Sequence, residues 1–169
     1  MKLSEKWQSW KALVDLKTCL TCRKNNGKIY EVGVKVSPWP PVHPHCRCII
    51  ERLFAILAGT ATDIGMDGAD WFLKTQGKLP EYYISKEEAE LLGWKSKRGN
   101  LHKVLPGKMI FGGRYQNNDG RLPSEHGRVW YEADINYTEG YRGTERVVFS
   151  NDGLLFVTYD HYGTFIEII

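Results

Sequence analysis

The sequence predicts an α+β protein: helices packed on one face of a five-stranded antiparallel sheet, preceded by a small Cys/His-rich module. Three observations predict it. All four cysteines lie before residue 49. Helix signals gather between Asp67 and Gly93. Beyond Pro106 short apolar or alternating runs are separated by NNDG, SEHG, TEGYRG, SNDG and HYG. Strands at that spacing, joined by short turns, form an antiparallel meander, and helices preceding it have a sheet face to cover. The expected division is residues 1–60 for the module and 65–169 for the larger domain, with Gly59 to Gly65 as a linker.

Each element has its own signal. Trp7, Trp10, Leu13 and Val14 recur at helical spacing, which predicts a short amphipathic helix over Glu5 to Leu16. IYEVGVKV alternates like a strand. SPWPPVHPHCRC holds four of the seven prolines and excludes regular structure. Ile49 to Leu57 reads as a second helix. Asp67 to Thr75 reads as a third, with Asp67 as its cap and Gly77 as its stop. Ser85 begins a capping box that Glu88 completes, and Gly93 ends that helix.

Composition excludes several function classes. The longest apolar run, Leu53 to Ala61, is about half the ~18–20 residues that span a bilayer. The start, MKLSEKWQSW, lacks the apolar core of a signal peptide, so export either uses another route or this chain is part of something longer. Residues 1–64 carry 10 Lys+Arg against 5 Asp+Glu, and residues 65–169 carry 13 against 15. If the second half handles a polyanion, its cations must be concentrated locally.

A local concentration exists. Glu132 and Asp134 in WYEADINY are two apart on a strand and share a face, where carboxylates need partners. Arg142 and Arg146 in GYRGTERVVF supply them. The four residues are open to two readings, a buried salt-bridge network or a reaction centre. His161, in TYDHYGTF, favours the second. A carboxylate base, an imidazole acid and clustered guanidinium groups are what RNA transesterification requires. The base takes the 2′-hydroxyl proton, the acid protonates the departing 5′-oxygen, and no metal is needed. DNA, lacking the 2′-hydroxyl, would be inert.

From about Gly65 to Ile169 the sequence resembles the barnase-like, guanine-preferring bacterial ribonucleases. KLPEYYISKEEAELLGW, KRGNL, GRLP, EADINYTEGYR and TYDHYGTF carry the resemblance. It implies Glu132 as general base and His161 as general acid, with Lys86, Arg142 and Arg146 on the phosphate and Asp134 anchoring the arginines. Tyr162 would stack on or line the nucleotide. YQNNDGRLP would be the guanine-recognition loop: backbone amides around Gln116 and Asn117 meet the base, and Asp119 accepts from its N1 and N2 edge. Asn117 has the alternative of merely shaping the loop. Two positions depart from the family. Gly113 stands where an acidic residue is usual, and Asn118 where an arginine is usual; the second departure weakens the expected guanine preference and inhibitor recognition. The implied partners are RNA and a small acidic immunity protein resembling barstar.

The first module offers Cys19, Cys22, His43, His45, Cys46 and Cys48 for the four positions of a tetrahedral metal. Structural Zn2+, two disulfides and free thiols all remain open, with no cofactor expected for catalysis. CxC on a strand would aim its sulfurs to opposite faces, a difficulty for Cys46 and Cys48. The segment resembles the cysteine-rich tail of phage head-morphogenesis (minor capsid) proteins, which implies a presentation module ahead of a toxin nuclease, secreted or delivered into a target cell. Three alternatives remain: a secreted nutritional ribonuclease, a non-catalytic phage-derived module with a degenerate nuclease fold, and RNA binding by residues 1–60 through Trp7, Trp10 and Trp39.

Overall fold

Strands stand where the sequence predicts the two amino-terminal helices. In the computed structural model, which describes residues 1–169, β1 runs Lys2–Lys11, α1 Leu20–Asn25, β2 Ile29–Glu31 and β3 Ile49–Ile56. The chain divides into two compact units, Met1–Ala55 with Asn117–His126, and Ile56–Gln116 with Gly127–Ile169. The loop Asn117–His126 is therefore grouped with the amino-terminal residues, although the sequence places it inside the expected domain 65–169.

In the first unit β1 pairs antiparallel with both β2 and β3. Leu3 lies opposite Phe54 and Gln8 opposite Arg52, so five steps along β1 match two along β3. The extra residues form a bulge held by Ser4, whose hydroxyl accepts from the amides of Lys6 (3.1 Å) and Trp7 (2.8 Å). The bulge breaks the two-residue alternation, and Ser4, Trp7 and Trp10 are the buried positions of β1. That three-residue spacing imitates a helix. In β3 Leu53 and Ala55 are buried and Phe54 is exposed, the alternation of a strand.

The second unit contains α2 (Ala69–Gln76), β4 (Tyr83–Ser85), α3 (Lys86–Leu91), α4 (Leu101–Val104), β5 (Met109–Tyr115), β6 (Trp130–Asp134), β7 (Arg146–Ser150), β8 (Leu155–Thr158) and β9 (Ile166–Ile168). Strands β5 to β9 pair antiparallel in chain order, and β4 lies parallel beside β5. The protein thus has nine strands and four short helices, against an expectation of five strands. The difference comes from β4, too short to show a pattern, and from the three strands of the first unit. Residues Ala69, Ala133, Val147, Leu155, Val157 and Ile168 share the main apolar cluster, and Ala89, Trp94, Leu101 and Ile110 a second. Buried Asp70 in α2 accepts from the amides of Gly59 (2.7 Å) and Ala61 (2.9 Å), fixing the segment ahead of the helix. Gly68 caps α2 in place of Asp67, while the Ser85–Glu88 capping box of α3 is formed. No helix is long and apolar enough to cross a membrane.

Candidate active site

The pleat of β6 puts Glu132 and Asp134 on one face, and the register sets Asp134 opposite Arg146 and Arg146 opposite Thr158. Asp134 is 1% exposed. Burial of this carboxylate is offset by two guanidinium groups. Arg142 donates through Nε and Nη2 to the two oxygens, each at 2.6 Å, and Nε of Arg146 lies 2.9 Å from Oδ1. Burial works against the Arg142 charge, but the bonds to Asp134 outweigh it and raise its pKa above the usual value. Tyr83 closes the group by donating to the Asp134 carbonyl at 2.5 Å.

Glu132, on the same face, has partners of its own. Its carboxylate lies 3.9 Å from the ammonium of Lys86, the first residue of α3, and accepts from the Tyr162 hydroxyl. Room for it comes from Gly112 on β5. A Cβ there would fall 2.5 Å from Oε1 and 2.7 Å from Cγ of Glu132. The neighbouring Gly113 sits at φ +82, at a register slip between Phe111 and Gly113. A side chain at position 113 would be strained there, and glycine adopts the conformation freely.

His161 and Tyr162 occupy successive left-handed conformations, φ +56 and φ +67. Two non-glycine residues of this kind in a row need fixing from outside. Asp160 accepts from the Thr158 hydroxyl (3.0 Å), the Thr164 amide (2.8 Å) and the Thr164 hydroxyl (2.9 Å). The Thr158 hydroxyl accepts from the Tyr162 amide at 2.9 Å. The His161 amide donates to the carbonyl of Thr144 at 3.2 Å, tying the turn to the segment that carries Arg142. His161 is exposed, with its ring centroid 4.9 Å from that of Tyr162. Tyr162 also stacks on Tyr115, centroids 4.9 Å apart. Burial, and then the bond to Glu132, push the Tyr162 phenol well above its usual range, so it stays a donor.

The second unit therefore brings together Lys86, Glu132, Asp134, Arg142, Arg146, His161 and Tyr162. Gln116, the last residue before the loop, is exposed. In the first unit Asn117, at φ +47, donates to the Leu122 carbonyl (2.9 Å) and accepts from the Leu122 amide (3.0 Å). Its side chain is spent on shaping the loop. Asn118 is exposed, and Asp119 pairs with Arg121 at 3.0 Å. Sequence reasoning missed Gly112, Tyr115, Thr144 and Asp160. Only Tyr115, an aromatic residue closing a strand before the loop, leaves a local signal.

The cysteine residues converge. Cys22 Sγ lies 3.5 Å from Nε2 of His43 and 3.8 Å from Sγ of Cys46. Cys19, Cys22 and His43 form one group of possible ligands and Cys22, Cys46 and Cys48 another, the atoms of each within 4.8 Å; His45 belongs to neither. All four thiols are free. Cys46 and Cys48 precede β3, so the opposite-faces difficulty of a strand does not arise. Burial raises the Cys22 thiol, whereas backbone and thiol hydrogen bonds overcome burial at Cys46 and bring it down to about 7.

Comparison with known proteins gives a consistent result. A family described as ribonuclease matches residues 71–169. A ribonuclease of Heyndrickxia coagulans is 49% identical over 102 residues, 60% of this chain and 94% of that protein. Ribonucleases of Bacillus intermedius and Bacillus pumilus are each 49% identical over 102 residues, again 60% of this chain but 63% of theirs. The chain thus spans less than two thirds of the length of these last two.

Proposed function

We propose that this chain, which belongs to the ribonuclease family, is an endoribonuclease that cleaves single-stranded RNA after guanine without a catalytic metal. The observation that carries the reading is Tyr162, which touches both partners of an acid–base pair: its hydroxyl is on Glu132 and its ring lies against His161. Glu132 takes the proton of the 2′-hydroxyl as that oxygen attacks phosphorus. His161, exposed on its turn, donates a proton to the departing 5′-oxygen, leaving a 2′,3′-cyclic phosphate. Lys86, Arg142 and Arg146 stabilise charge on the phosphorane, the arginines already oriented by Asp134. Gln116, Asn117, Asn118 and Asp119 belong to the base-recognition loop, with Asn117 as its brace. The same cationic surface suits a small acidic inhibitor, whose charge would speed association. A toxin delivered into a target cell is the biological setting this supports, with residues 1–60 assisting presentation.

The test is incubation with a defined RNA of all four bases and its 2′-deoxy counterpart, in EDTA. Cleavage of RNA alone, ending in cyclic phosphate after guanine, is the expected result. Cleavage of both polymers, or none by folded protein, overturns the mechanism; cleavage after every base overturns only the guanine preference.

A further inference from the structure

We infer that Cys22 and three of its four neighbours, Cys19, His43, Cys46 and Cys48, hold one zinc ion, and that this ion keeps the loop Asn117–His126 in its shape. Its functional consequence rests on reading that loop as the base-recognition loop.

The spacings are those of a tetrahedron. Zinc–sulfur bonds of ~2.3 Å separate two sulfurs by about 3.8 Å, and Cys22 and Cys46 are 3.8 Å apart. His43 has the matching chemistry. Its Nδ1 is 2.8 Å from the carbonyl of Pro44, which can only accept, so Nδ1 carries the proton. Nε2 then presents a lone pair, 3.5 Å from Cys22 Sγ. The unit also needs a cross-link. Its apolar cluster has three buried members, Trp10, Cys22 and Cys48, two of which are thiols. Units below ~70–80 residues commonly add a metal or disulfides to a small core, and here the thiols sit in the cluster itself.

A short run of backbone followed by a hydrogen bond leads from this cluster to the loop. Cys22 lies in α1, six residues long and too short to persist by itself. The Asn26 amide donates to the Cys22 carbonyl (3.1 Å), and Gly27 and Lys28 exchange backbone bonds with Trp10, each 2.9 Å. The next amide, of Ile29, donates to the Arg121 carbonyl at 2.7 Å. The Arg121 side chain covers Gly27, where an added Cβ would meet it at 3.5 Å. Leu122, 1% exposed, is bonded by both backbone groups to Asn117. Loosening α1 therefore loosens the residues flanking Asn118 and Asp119.

The experiment uses the full chain. Zinc content is measured first, then the protein is stripped with a thiol-directed mercurial and chelator, reduced, and compared with a zinc-reloaded sample. Hydrogen exchange is followed at the Ile29 and Leu122 amides, and kcat/KM on guanine- and adenine-containing dinucleotides. The expected results are one zinc per chain, loss of protection at both amides on stripping, and recovery on reloading. The guanine-over-adenine ratio should fall several-fold in the stripped form. Absence of metal with two disulfides overturns the proposal, as does bound zinc whose removal leaves both amides protected. Loss of protection without any base preference in either form upholds the metal's hold on the loop and overturns the guanine reading instead.

Discussion

In the second unit the buried polar centre is Asp134, met by Arg142 through two hydrogen bonds of 2.6 Å and by the Arg146 charge at 2.9 Å. In the first the corresponding place is taken by Cys22 and Cys48 beside Trp10. Guanidinium groups keep their charge at any pH the fold survives, and strand pairing sets Arg146 opposite Asp134. Thiols change with oxidant, metal and proton, and the shape they hold changes with them. The comparison teaches that Glu132, His161 and the arginines rest on a unit whose buried polar centre is an ion-pair network, while Asn117 to Asp119 belong to a unit whose buried polar centre is made of thiols.

The largest effect expected is on chemistry alone. His161→Asn, chosen because asparagine tolerates the left-handed backbone, should lower kcat/KM by ~10²–10⁴-fold, with an unchanged melting temperature; calorimetry beside steady-state rates checks both. Asp134→Ala should strike the scaffold instead. It leaves two guanidinium groups without their carboxylate, at a cost of about 3–5 kcal/mol, read from urea unfolding. Equal losses from both variants in rate and stability would break the distinction between site and scaffold. Thr158→Val comes next. It removes the acceptor for the Tyr162 amide, costs ~1–3 kcal/mol, and should lower kcat more than it raises KM, because the turn presenting His161 loosens. Ser85→Ala removes the cap of the helix that begins with Lys86 and should cost ~0.5–2 kcal/mol, measured by thermal melting.

The smallest effect concerns pH. Arg128 holds the Asp152 carboxyl down to about 2, against an ordinary value of 3.8. A folded pKa below the unfolded one means stability that is present above about pH 4 and lost as pH falls toward 2. The Asp152 carboxylate is exposed, so the contribution is well under ~1 kcal/mol. The difference in melting temperature between the natural chain and Asp152→Asn should shrink over that window.

Legibility followed the range of the interactions. The Ser85–Glu88 box, the Gly77 stop and the shared face of Glu132 and Asp134 are set by residues two to four apart, and the sequence shows them. Trp7 and Trp10 misled because the Ser4 bulge gives a strand a helical spacing. The run Ile49 to Leu57 is short and apolar, a pattern helices and strands share. Gly112 has no side chain to announce that it faces Glu132, and the bond between Ile29 and Arg121 joins segments about ninety residues apart that no local pattern relates. The residues gathered around Glu132 and Asp134 were therefore readable, and the contacts behind the loop were not.

The space at Gly112 has a genetic consequence. A single base change converts any glycine codon to alanine, and the added methyl group would run into the Glu132 side chain from Cγ to Oε1 and displace its carboxylate. A lineage in which this nuclease became a burden could silence it in one heritable step while retaining Glu132, His161 and both arginines. Descendants of that kind would look intact to anyone checking reacting residues alone, and position 112 is where their inactivity would be written.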